Sequence, residues 1–154
     1  MLQIEIKQTD ETKTLLSKYP NEFRKSLVEG FRKSVKLLES KVKQSFGKSG
    51  KPKVRSGALR SSIYSTVIER SNYLTALLKS DLIYAAPQEF GAVILPKQKP
   101  YMRFTIYGRW VTMKRIVLPA RPYMQPTINE NQDLVNTTIE NQIVGDLKWQ
   151  QEVI

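Results

Sequence analysis

The sequence predicts an α+β fold: a long N-terminal amphipathic helix and a C-terminal helix packed on an antiparallel β-sheet of two hairpins. Three patterns predict it. Apolar residues recur every three or four positions over 20–46, strand-like segments separated by turns fill 58–121, and a second helical pattern covers 122–148. Because strands and helices are grouped and do not alternate, we expect the helices on one side of an antiparallel sheet.

Length and composition are those of one folded domain, 1–154. The chain has 154 residues, of which 40% are hydrophobic, enough for a real core. No apolar run approaches the ~18 residues that a membrane-spanning helix needs. The N-terminus lacks the apolar core of a signal peptide. We therefore expect no membrane partner.

The chain contains no Cys and no His. This removes disulfides and thiolate nucleophiles, and also the commonest general base and metal ligand. We expect no catalytic, cofactor-binding or metal-binding residues, and we predict that the protein is not an enzyme.

The first 19 residues are interpreted as a strand and a linker, because "LQIEIK" alternates apolar and polar residues. The long helix follows over 20–46, with Pro20 in its first turn and Gly47 at its end. Gly30 weakens such a helix, which is compatible with a neighbour approaching closely there. The predicted apolar face consists of Phe23, Leu27, Phe31, Val35, Leu38, Val42 and Phe46.

Residues 47–57 form a basic, glycine-rich segment that is interpreted as a mobile loop. Its spacing does not match a phosphate-binding loop, and it follows a helix instead of a strand. The loop is a candidate for contact with DNA or with an acidic partner, through Lys48, Lys51, Lys53 and Arg55.

Residues 58–121 are predicted to form the sheet. The segments "SIYSTVIER" and "NYLTALLKS" predict one hairpin, and "YMRFTIYG" with "RWVTMKRIVL" predicts another that turns near Gly108. At a period of two residues, Met102, Phe104 and Ile106 share one face, which we expect in the core. The opposite face is expected to meet a partner protein and carries Tyr101, Arg103, Thr105 and Tyr107.

The segment "YAAPQEFG" (84–91) lies between the hairpins. Pro87 excludes a central strand, so a short helix or bend ending at Gly91 is expected. Glu89 has no His or paired carboxylate nearby in sequence and is therefore interpreted as structural. Loop carboxylates often accept backbone N–H groups or pair with arginine. Arg121, held between two prolines, is the proposed partner, either within the chain or between subunits. Tyr84 and Phe90 are expected to anchor the segment in the core.

Charge is divided along the chain. The net charge is +9 over 1–60, +6 over 61–121 and −4 over 122–154, which sums to +11. This predicts surfaces of opposite sign. Aromatic residues interleave with basic ones over 101–115, a pattern also found in single-strand nucleic-acid platforms. A small basic nucleic-acid-binding module is therefore the alternative function.

Three segments together resemble one family: "RSGALRSSI" (55–63), "YAAPQEFG" (84–91) and "LPARPYMQPTI" (118–128). In this order, between a long helix and a terminal helix, they are similar to the neck or tail-completion proteins of long-tailed double-stranded-DNA phages and prophages, the minor tail protein Z-like or phage morphogenesis group. The resemblance covers most of 20–145. The sequence departs from the family pattern at Ala92, where the family often has Thr, and in the 28 residues between Gly91 and Ala120.

The resemblance implies a structural virion assembly protein that joins or completes the tail at the head–tail neck, built as a homo-oligomeric ring. It implies contact with the tail terminator, the head–tail connector or stopper, and the tail tube, and possible contact with packaged DNA. It implies a location in the host cytoplasm during assembly and then in the virion. The structural or interface candidates it gives are Arg60, Tyr84, Glu89, Phe90, Gly91, Arg121, Pro122 and Tyr123.

Overall fold

The computed structural model describes residues 2–7, 21–54, 56–71 and 73–152. The helices are α1 Asn21–Ser45, α2 Ala58–Ser61, α3 Ala85–Phe90, α4 Gln125–Glu130 and α5 Gln132–Glu152. The strands are β1 Leu2–Lys7, β2 Ile63–Glu69, β3 Leu74–Ser80, β4 Ala92–Ile94, β5 Met102–Ile106, β6 Arg109–Met113 and β7 Ile116–Leu118. The α+β class predicted from the sequence is confirmed.

Helix α1 supplies the centre of the core. The residues of its predicted face are buried over Leu27 to Val42, whereas Phe23 and Phe46 at its ends are half-buried. The apolar face contacts β2, β3 and α5. The 3.6-residue period of the sequence therefore located this helix to within one residue at each end.

The main sheet has three antiparallel strands in the order β1-β3-β2. β2 and β3 form the first predicted hairpin, with Ile63 opposite Ser80 and Glu69 opposite Leu74. β1 adds to the other side of β3, with Leu2 opposite Ser80. β3 is the central strand, so both of its edges are paired, and its residues are buried almost continuously.

The second hairpin does not join that sheet. β5 pairs with β6, and β4 pairs with β7, as two separate two-stranded sheets. The β5–β6 turn is Tyr107-Gly108, with φ values of 48° and 76°. Positive φ at both central residues is typical of the tight hairpin turn that matches strand twist. We call residues 92–118 the arm.

The C-terminal helix predicted over 122–148 is two helices that meet at Asn131. α5 packs along α1, where Gly30 lies so close that an added Cβ would be 3.2 Å from the Ile139 Cα. The glycine in α1 therefore permits close helix–helix packing, as its position suggested. No helix within the described residues has both the length and the apolar character needed to cross a membrane.

The predicted linker after β1 and Arg55 lie outside the described residues. The interpretation of 1–154 as a single domain stays a prediction.

Candidate functional site

The three segments that resemble a family meet around one cleft of about 470 Å³. We call it the motif cleft. The first segment contributes Leu59 and Arg60, the second Tyr84 and Gln88, and the third Pro119 and Arg121, while the basic loop adds Lys53. Three cationic side chains and no carboxylate line the cleft, so its electrostatics favour an acidic ligand or partner segment.

Glu89 lies beneath this region and binds backbone rather than a ligand. It is 2% exposed. Its Oε2 accepts hydrogen bonds from the N–H groups of Tyr123 (2.7 Å) and Met124 (3.0 Å), and its Oε1 accepts one from Gln125 (2.9 Å). These are the N–H groups at the start of α4, which no helical carbonyl can satisfy. A carboxylate at this end also complements the helix dipole.

The proposed pair between Glu89 and Arg121 does not form within the chain, and a pair between subunits stays a prediction. No ion pair joins the two residues, although the structure describes both. Arg121 instead uses its backbone N–H, which donates to the Gln88 carbonyl at 2.8 Å, and its side chain lies exposed at the motif cleft. The carboxylate is already occupied by three aligned N–H donors, so an arginine is not needed to satisfy it.

Tyr84 and Phe90 do not anchor the segment in the core, because they are 40% and 66% exposed. The buried residues of α3 are Ala85 and Glu89. Only one side of this six-residue helix faces the core. The polar Glu89 lies on that side because its carboxylate has backbone hydrogen-bond partners there. Hydrophobicity alone therefore misassigned the inward face.

Gly91 ends α3 with φ 76° and ψ 168°, a conformation that favours glycine. An added Cβ would lie 3.0 Å from both the Ala120 N and the Leu118 O. Glu89 and Gly91 therefore keep the residues just before the arm in contact with the residues just after it.

Tyr123 fills the core beside this corner. It is fully buried, its ring centroid lies 4.9 Å from that of Phe46, and its neighbour Pro122 is exposed. Burial, with the nearby Glu89 carboxylate, raises the pKa of Tyr123. Among the described residues, its hydroxyl is the buried side-chain polar atom without a hydrogen-bond partner.

A second buried carboxylate, Glu39 on α1, was not singled out from the sequence. Its oxygens accept bonds from Lys36, Lys43, and the N–H and Oγ of Ser65 on β2. Burial raises the pKa of Glu39, but the hydrogen bonds from Lys43, Ser65 and Lys36 outweigh this and lower it from 4.5 to about 2. The spacing of Glu39 from Lys36 and Lys43 was the available signal. The contact to Ser65 requires the fold.

The arm differs most from expectation. Met102 and Phe104 are half-buried and Ile106 is exposed, so the predicted core face of β5 is not core. No residue of 92–118 is buried. The alternation of apolar residues is present, but no described layer of the chain covers that face.

The basic loop folds back on itself, since the Gly47 N–H donates to the Pro52 carbonyl at 3.0 Å. Lys48 and Lys53 are exposed and Lys51 is half-buried. The part of the chain described here contains no cluster of acidic side chains that could hold a metal ion.

Comparisons with protein-family models, with curated proteins and with solved structures found no match to this chain.

Proposed function

We propose that the protein is a structural assembly subunit of a tailed phage or prophage, which joins or completes the tail at the head–tail neck as part of a ring. One observation carries the proposal: three separated segments that resemble tail-completion proteins line the same cleft. A shared binding role for the three segments would require that they meet on one surface, as they do here.

The geometry favours binding over catalysis at this site. Both oxygens of Glu89 are committed to backbone N–H groups. The exposed groups of the cleft are cations, an amide, a tyrosine and apolar side chains. Such a set recognises an acidic, partly apolar segment of another virion protein, for example the tail terminator, the connector or stopper, or the tail tube.

The proposal is tested in the phage or prophage that carries the gene. Deleting the gene should leave filled heads and separate tails in electron micrographs, and a supplied copy should restore joined particles. A Lys53→Glu/Arg60→Glu variant should fold but fail to restore them. Lys41→Glu, an exposed change on α1 away from the cleft, should restore them. Intact infectious particles without the gene would refute the proposal.

A nucleic-acid-binding module is the second candidate, because the described loop cations and the arm cations are not used in ion pairs. It predicts DNA binding that weakens steeply with salt and is reduced by Lys48→Glu/Lys51→Glu. Absence of binding at low salt would remove this candidate.

A further inference from the structure

The arm carries an apolar sheet face with no cover. On this face Phe104 lies opposite Val111, and Met102 lies opposite Met113. None of the four is buried. An isolated two-stranded hairpin is marginally stable in water, and three strands or packing against a helix are needed for stability. We therefore expect another element to cover this face when the protein works.

The rim of the arm is basic. Residues 92–118 contain six Lys or Arg and no Asp or Glu, and none of the ion pairs within the described residues includes an arm residue. The Arg103 guanidinium lies 4.8 Å from the centre of the Trp110 ring, and Tyr107 at the tip is 94% exposed. Arg103 and Trp110 lie on the face of the arm opposite to the apolar one. Arg109, which pairs with Ile106, places a cation on the same side as Phe104.

The same chain offers a complementary surface on α5. Asp133, Thr137, Glu140 and Val144 follow helical spacing and are all exposed. They lie on the side opposite Ile139, which packs on α1. Neither carboxylate of this outer face forms an ion pair within the described part of the chain.

We infer that the apolar face of one copy's arm docks on the outer face of α5 of a second copy, with the arm's cations beside Asp133 and Glu140. The inference rests on the proposed function and names the contact between ring subunits. Because the two surfaces differ, a docked pair still presents one free arm and one free α5. Such a heterologous contact propagates into a ring or a filament.

A second copy accounts for more of the surface than a nucleic acid does. Phosphates would satisfy the cations, but they would leave the face around Phe104 and Val111 uncovered. The acidic outer face of α5 would repel DNA and has no role in that case. A second copy of this chain provides a partner for both surfaces.

Charge reversal tests the contact in the full-length protein by sedimentation velocity at low salt. Arg109→Glu/Lys114→Glu on the arm, or Asp133→Lys/Glu140→Lys on α5, should each weaken self-association by about tenfold or more. An equal mixture of the two variants should regain association. The reversed arm then meets the reversed α5, and the unchanged arm of one variant meets the unchanged α5 of the other. Lys25→Glu/Lys41→Glu, at two exposed sites on α1, changes the net charge as much as the arm variant but should leave association unchanged.

The absence of cysteine from the chain permits a second measurement. A preparation of Ile106→Cys is mixed with one of Val144→Cys, and the mixed disulfide is quantified under mild oxidation. Its yield should exceed that of Ile106→Cys mixed with Ser40→Cys, an exposed site on α1, and should fall in high salt because the contact is electrostatic.

Three results would overturn the inference. They are association that ignores both reversals, equal disulfide yields at residues 144 and 40, or a monomer without mixed disulfide even at ~1 mM. Salt-sensitive DNA binding lost only in the arm variant would instead assign the arm to nucleic acid. Oligomers that ignore both reversals leave the assembly proposal standing, since the gene-deletion experiment judges it separately.

Discussion

Replacing Glu89 with Gln should destabilise the protein, although the side chain keeps its size. The carboxylate accepts three N–H groups that begin α4. The Gln oxygen can replace only one carboxylate oxygen. In the better orientation it keeps the bonds from Tyr123 and Met124, while its NH₂ group faces the N–H of Gln125.

The expected cost follows from those contacts. One charge-assisted bond is lost, worth about 1.5–3 kcal/mol, and two others become neutral, which weakens each by about 1 kcal/mol. Part of this loss in stability is offset, because the buried negative charge is gone and its desolvation no longer opposes folding. A net loss of about 3 kcal/mol would lower the melting temperature by roughly 6–12 °C in a chain of this size.

The assay is urea unfolding and thermal melting, followed by circular dichroism at neutral pH. Glu130→Gln, an exposed change at the end of α4, serves as the matched control and should alter stability by less than about 0.5 kcal/mol. Arg121→Ala should be similarly mild, because the guanidinium does not pair with Glu89. A large loss in Arg121→Ala equal to that in Glu89→Gln, or a wild-type melting temperature in Glu89→Gln, would refute the reasoning.

Three further changes test other contacts by the same unfolding measurements. Glu39→Gln should lower the free energy of unfolding by on the order of 1–2 kcal/mol at pH 7, a figure discounted because Lys36 is exposed. Since the pKa of Glu39 is lowered from 4.5 to about 2 in the folded protein, the difference in stability from wild type should shrink as pH falls from about 4.5 towards 2. A pH-independent difference would contradict this. Tyr123→Phe removes a buried, unpartnered hydroxyl, so it should be neutral or stabilising by about 1 kcal/mol, and a marked loss would reveal a partner for that hydroxyl. Gly91→Ala should lower the free energy of unfolding by about 3 kcal/mol, because residue 91 has a positive φ and contacts Ala120. Gly145→Ala, with open space around it, should stabilise α5 by about 1 kcal/mol. Similar effects at the two sites would exclude strain at Gly91.

The sequence was most informative where one local pattern decides the structure. The period of α1, the break at Pro87 and the glycine at 108 each located an element from neighbouring residues alone. Glu89 was recognised as structural because the chain lacks the residues that would make it catalytic. Two kinds of partner were expected for Glu89 from the sequence, backbone N–H groups or an arginine, and in the structure its carboxylate accepts backbone N–H groups.

The rest depended on contacts between distant segments. Glu39 reaches Ser65 across 26 positions, and nothing near Glu39 in sequence indicates that bond. Alternation in β5 predicts two faces, but it does not say whether another layer covers the apolar one. The motif cleft likewise exists only because residues near 60, 88 and 121 are brought together.

The base of the arm has a consequence for how this protein can vary. Ala92 pairs with Leu118, Gly91 packs on Ala120, and Glu89 holds the backbone at Tyr123. The two ends of the arm are therefore held together by contacts that do not depend on the residues between them. Since doubling the length of a closed loop costs only about 0.6 kcal/mol, we expect the core to tolerate large changes in the length and sequence of residues between 92 and 118. A short glycine turn, or a hairpin of different length and chemistry, could be grafted there while the core below keeps its register.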